Sequence, residues 1–70
     1  MDDIKINKVA GYRKMAELRQ ADMAEYLGIS RQSYWCKENN RVSFSDKEKQ
    51  KIKELFQKFI PELTIDDIFF

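Results

Sequence analysis

The sequence predicts a compact all-α domain of five helices, and three observations carry that expectation. Apolar residues recur at helical spacing, most regularly at Ile52, Leu55, Phe56, Phe59 and Ile60, which fall at i, i+3, i+4, i+7 and i+8. Helix-opening signals stand at Ser30, Ser45 and Thr64. No alternating strand pattern of any length occurs.

Taken in order, residues 1–5 read as a loose tail carrying Asp2 and Asp3. Asn7 is placed to cap a first helix over about Lys8–Ala16, with Val9 and Tyr12 facing inward and Ala16 one turn further. Gly11 inside that helix costs about 1 kcal/mol relative to Ala and suggests close helix packing. Leu18 anchors the turn into a second helix opened by Gln20. Met23, Ala24 and Leu27 share one face of it, and Ala24 sits where a neighbouring helix must approach. Gly28 fits a turn that needs positive φ or a backbone without Cβ, and Ile29 follows as an inward apolar plug. Ser30 then caps a third helix, in which Tyr34 supplies the inward residue. Asn39–Phe44 reads as a loop. Ser45 with Glu48 is a capping box for a fourth helix, expected to run to Ile60 before Pro61 ends it. Thr64 with Asp67 repeats the box and opens a short last helix through Phe69.

Seventy residues make one domain with a modest core. Composition is 43% hydrophobic and 36% charged, which is globular; no apolar run reaches membrane-spanning length and no signal peptide is seen, so a cytoplasmic protein is expected. Cys36 is the only cysteine and there is no histidine, which excludes an intramolecular disulfide and the usual zinc sites. Cys36 is read as an inert, partly buried thiol. Without a Gly-rich phosphate loop, a His base or a paired-carboxylate motif, neither an enzyme nor a cofactor is expected. Net charge is only +1, yet Lys5 to Arg41 holds eight bases and four acids, a balance of +4, with acids gathered at both ends. A basic middle suits a phosphate-facing surface. The lysines from Lys47 to Lys58 interleave with Asp46, Glu48 and Glu54 and read as a solvated helix face, with Glu54 supporting Lys58.

Arg31, Gln32, Ser33 and Trp35 fall on or near the face opposite Tyr34, at the start of the third helix. Arg, Gln and Ser side chains hydrogen-bond base edges in a DNA major groove. Trp35 fits a half-buried core edge, which is the first expectation for so large an aromatic, but also a thymine-methyl contact or a sugar stack.

The stretch Gln20–Glu38, QADMAEYLGISRQSYWCKE, resembles the helix-turn-helix of phage repressor and Cro-type DNA-binding proteins. Arg13, seven residues before Gln20, Gln20 itself, Glu38 and the loop Asn39-Asn40-Arg41 also match the family's pattern, and Thr64–Phe69 resembles its short closing helix, so the likeness covers about residues 5–70. Three positions depart from it. Lys37 stands where the family has a buried aliphatic residue, Asn40 replaces a glycine at a site suited to αL backbone, and Arg19 replaces a Ser or Thr cap.

The resemblance implies a lambda-repressor-like domain and a sequence-specific, double-stranded-DNA-binding transcriptional regulator, either Cro-like or a small antitoxin or controller protein, since 70 residues leave no room for a sensing domain. Arg31, Gln32, Ser33 and Trp35 would read bases, and Arg19, Gln20, Asn39 and Arg41 would hold phosphates. Arg13 and Glu38 would form a buried ion pair. The family also implies a homodimer on its operator, for which Ile65, Ile68, Phe69 and Phe70 are the expected contact unless they close the core instead. A different class of function, a protein-interaction module on the same fold, is favoured by the near-neutral charge, Trp35 and the apolar end of the chain.

Overall fold

The computed structural model describes residues 7–70, so the expected tail over residues 1–5 lies outside the described residues. The described residues form five α-helices and no strand: α1 (Val9–Met15), α2 (Gln20–Leu27), α3 (Arg31–Glu38), α4 (Asp46–Phe56) and α5 (Ile65–Phe69). None is long and apolar enough to cross a membrane.

Helices this short are not stable alone; each needs its ends satisfied and one face buried. The starts follow the sequence. Val9 donates its backbone N–H to Asn7 Oδ1 at 3.1 Å. The Ser30 hydroxyl accepts from the Ser33 N–H at 3.0 Å. Ser45 with Glu48, and Thr64 with Asp67, complete reciprocal capping boxes.

Three helix ends share one device. The first or second residue after the helix turns into the left-handed region, and the next N–H reaches back five residues: Leu18 to the Arg13 carbonyl, Ile29 to Ala24 and Arg41 to Cys36. The left-handed residues are Glu17 (φ 59°), Gly28 (φ 72°) and Asn40 (φ 64°). Gly28 is there for its φ alone, because a Cβ at that position would meet nothing. Glu17 is the unforeseen member; neither Gly nor Asn marks it.

The core gathers Val9, Met23, Ala24, Leu27, Tyr34, Phe44, Ile52, Phe56, Leu63, Ile68 and Phe69 from all five helices and two connections. Tyr12, Leu18, Ile29 and Ile65 pack against it half-buried. Phe44 and Leu63 enter from loops, and Phe44 sits edge-on to Phe69 with ring centroids 5.6 Å apart. The Lys8 N–H donates to the Ile68 carbonyl at 2.7 Å and ties α1 to α5.

Three expectations are corrected, and one left open is decided. The fourth helix stops at Phe56, not Ile60: beyond it the Lys58 and Phe59 N–H groups bond three residues back, the chain tightens toward Pro61, and the stripe is broken, leaving Phe59 56% exposed. Glu54 accordingly accepts from Gln50 Nε2 within the helix rather than reaching Lys58. Gly11 is exposed and a Cβ on it would touch nothing, so it serves no close packing. Ile68 and Phe69 are buried in the chain's own core and Ile65 packs against it, so the expected dimer contact reduces to Phe70, which is 66% exposed beneath the Lys49 ammonium.

Two substitutions, one away from glycine and one toward it, test the backbone assignments. Gly11→Ala should raise stability by about 0.5–1 kcal/mol, because helical backbone there gains nothing from glycine. Glu17→Gly should also stabilise, by about 0.5–1 kcal/mol, by removing the cost of a left-handed non-glycine residue. Urea titrations of both variants check this; a destabilised Glu17→Gly would show that the glutamate side chain outweighs its backbone strain.

Candidate nucleic-acid interface

The end of α3 is fixed by one carboxylate. Glu38 Oε2 accepts from Arg13 Nε at 2.7 Å and from the Tyr34 hydroxyl at 2.6 Å; Oε1 accepts from Arg13 Nη2 at 3.2 Å and from Gln20 Nε2 at 2.8 Å. Arg13 also donates through Nη1 to the Leu18 carbonyl at 2.9 Å. The expected Arg13–Glu38 pair is therefore present, bidentate and buried, with side chains 10% and 5% exposed. Burial alone pushes the Glu38 carboxyl up, but the hydrogen bonds from Arg13, Tyr34 and Gln20 outweigh it and hold the group below its ordinary value. Burial, with the bond to Glu38, pushes the Tyr34 hydroxyl far above its ordinary range.

Lys37, out of place as an aliphatic, is paired instead. Its ammonium donates to both carboxylate oxygens of Glu48 at 2.7 Å, with side chains 17% and 13% exposed. Glu48 caps α4 with the same carboxylate, so one group both starts α4 and locks it onto α3. The two residues lie eleven positions apart, and no local pattern announces the contact.

With its far end anchored, α3 presents Arg31, Gln32 and Ser33 fully outward on its first turn. Trp35 is 41% exposed, and the Arg41 guanidinium lies over its ring at 5.3 Å from the centroid. The first expectation for Trp35, a half-buried core edge, is not met, because Trp35 is not among the residues packed on the core. Asn39 is exposed, with Nδ2 donating to the Trp35 carbonyl at 2.9 Å. Asn40 takes the left-handed backbone expected of it, and its Oδ1 accepts from Asn7 Nδ2 at 2.9 Å.

Arg19, Gln20 and Arg31 come together around an open hollow of about 470 Å³ at the start of α2, which Arg13, Leu18 and Ala21 complete. Two of these side chains are already engaged. Asp22 accepts from the Arg19 backbone N–H at 2.8 Å and pairs with its guanidinium at 3.1 Å, which supplies one half of a capping box; the half that a Ser or Thr oxygen would supply is missing, because a guanidinium cannot accept. The Arg19 bond holds the Asp22 carboxyl below its ordinary value. The Gln20 amide is turned inward onto Glu38, so what Gln20 offers the hollow is its backbone N–H, an unpaired donor of the first helical turn. Ser30, Gln32, Ser33, Cys36, Lys37 and Val42 line a second open hollow of about 290 Å³ on the other side of α3. Val42, 52% exposed, is a residue that sequence reasoning did not single out.

The charge of this surface is one-sided. Between Glu25 and Asp46 the only acid is Glu38, and it is 8% exposed. The outer face of α3 and the loop after it thus carries Arg31 and Arg41 and no exposed carboxylate. Such a surface attracts a polyanion.

Glu38→Gln should destabilise the fold by about 3 kcal/mol, since it strands the buried Arg13 charge, and Arg13→Met with Glu38→Gln should recover part of that loss. Strictly additive thermal melts would show that the two positions do not couple. Because the Glu38 value is lowered in the fold, its contribution is fully present above the ordinary carboxyl value of 4.5 and is lost as pH falls through the lowered value. Acid titration of wild type should show this loss, and Glu38→Gln should show less of it.

The chain matches no protein-family model, no curated protein and no solved structure.

Proposed function

We propose that this chain is a sequence-specific double-stranded-DNA-binding regulator, a helix-turn-helix domain of the lambda-repressor and Cro type. The observation that carries this reading is the exposed first turn of α3, where Arg31, Gln32 and Ser33 stand outward while the one carboxylate of α3, Glu38, is buried. In this reading α3 enters the major groove and α2 crosses the backbone. Gln32 and Arg31 contact base edges, with Ser33 beside them. Phosphates are held at the hollow of Arg19, Arg31 and the Gln20 N–H on one side, and by Arg41 and Asn39 on the other. The Glu38 network supports the reading, because base contacts need a helix held in one orientation.

A second reading, a protein-interaction module, is favoured by one feature away from α3. Met15 and Phe59 are 69% and 56% exposed and, with Tyr12, Ala16, Phe56 and Ile60, line an apolar hollow of about 210 Å³. For pairing with a second copy of the chain, this surface is a further exposed apolar candidate beside Phe70, since Ile68 and Phe69 are taken by the core.

Selection from a randomised duplex library at low salt, followed by gel shifts, separates the readings: an enriched sequence is expected, and no retention of any duplex would overturn the DNA reading. On the enriched duplex, Gln32→Ala should cost about 1–3 kcal/mol and relax preference at one base position. Arg41→Ala should weaken all duplexes alike and lower the salt slope by about one. If both variants behave identically, the division between base readers and phosphate clamps is wrong.

A further inference from the structure

The hollow beside α3 has walls of two kinds. Ser30, Gln32 and Ser33 bring polar atoms, whereas Cys36 and Val42 bring apolar ones. Lys37, also at its edge, has its charge matched by Glu48. Val42 is 52% exposed in the loop after α3, held there by the backbone that closes the helix: the Arg41 and Val42 N–H groups both donate to the Cys36 carbonyl, at 2.8 and 3.3 Å. The position is therefore fixed, and the side chain points an aliphatic group at solvent next to the exposed Arg41. Exposed cations flank the hollow in the chain, Arg31 next to Gln32 and Arg41 next to Val42, and an apolar wall between cations suits a partner that is a polyanion with apolar groups on its edge. Duplex DNA meets that description in the major groove, where thymine alone presents a methyl group.

We propose that Val42 and Cys36 form a contact for thymine 5-methyl groups, and that with Gln32 on the facing wall they set a preference for A·T pairs at this end of the site. The inference rests on the reading that α3 enters the major groove. Gln32 supplies an amide able to pair with an adenine edge, which reports which base is present; the apolar wall reports the methyl, a group that no hydrogen bond from Arg31, Gln32 or Ser33 senses. Val42 thereby becomes a specificity-determining residue outside α3.

The test uses the full chain and the duplex enriched from the randomised library. Each thymine is replaced in turn by deoxyuridine, which removes the methyl and keeps the hydrogen-bonding edge. At one or two positions the replacement should weaken wild-type binding about fourfold, the equivalent of burying one methyl-sized group at about 0.8 kcal/mol. Val42→Ser should bring that factor to less than about twofold with the melting temperature unchanged, because an exposed loop side chain contributes little to the core. If every thymine tolerates deoxyuridine while exchanges of base pairs still weaken binding, the methyl contact is overturned and the DNA reading stands. If the deoxyuridine effect persists undiminished in Val42→Ser, the assignment of the contact to Val42 is overturned. If no duplex is enriched, both fall.

Discussion

The Glu38 carboxylate is the point on which α1, α2 and α3 converge. Its two oxygens take four hydrogen bonds, two from Arg13 on α1, one from Gln20 at the start of α2, and one from Tyr34 a turn earlier on α3. A buried ion pair is a poor source of net stability, since desolvation consumes most of the attraction. What it supplies is uniqueness of arrangement: an alternative packing that moved any of the three helices would leave a charge or a donor unpaired in the interior. No buried side-chain donor or acceptor is left without a partner among the described residues, so the arrangement is closed.

That closure explains how a 70-residue chain can hold an exposed polar surface in a fixed geometry. The last turn of α3 is tied down by Glu38 and by Lys37 on Glu48, and its first turn is left to Ser30 as a cap and to solvent. Rigidity and exposure lie at opposite ends of the same eight residues. The left-handed residue after α2 sets the angle at which α3 leaves it, and the one after α3 turns the chain so that Arg41 lies over Trp35. The basic surface of this near-neutral chain follows from the same economy of acids: Glu48 neutralises Lys37, Asp22 engages Arg19, Glu38 faces inward, and Arg31 and Arg41 remain. The distribution of charge, more than its sum, decides what such a surface attracts.

Much of the fold was legible from local patterns. The caps at Ser30, Ser45 and Thr64, the turn at Gly28 and the inward face of α2 are all decided by groups within five residues of one another, and sequence spacing reports such contacts directly, whereas the left-handed Asn40 was legible through the family likeness. The Arg13–Glu38 pair was legible only through a family likeness, because nothing at a separation of 25 residues marks one arginine for one glutamate. The outward Arg31, Gln32 and Ser33 followed from placing Tyr34 inward, since a helix has only one buried stripe.

Tertiary structure decided the rest, and in each case competition for the core was the reason. Phe59 continues the helical period yet lies outside, because the chain leaves α4 at Phe56 to make the turn before Pro61, and Leu63 and Phe44 take the interior from loops that carry no period. Ile68 and Phe69 are buried in the same core and so are not a free surface. Trp35 follows the inward Tyr34, lies on the outer face of α3 and meets Arg41 there. The sequence by itself determined the helices, their caps and the polar face of α3. Which apolar residues won places in the core, and which charges were matched by partners far along the chain, depended on all five helices packing at once, a constraint no single stretch of sequence contains.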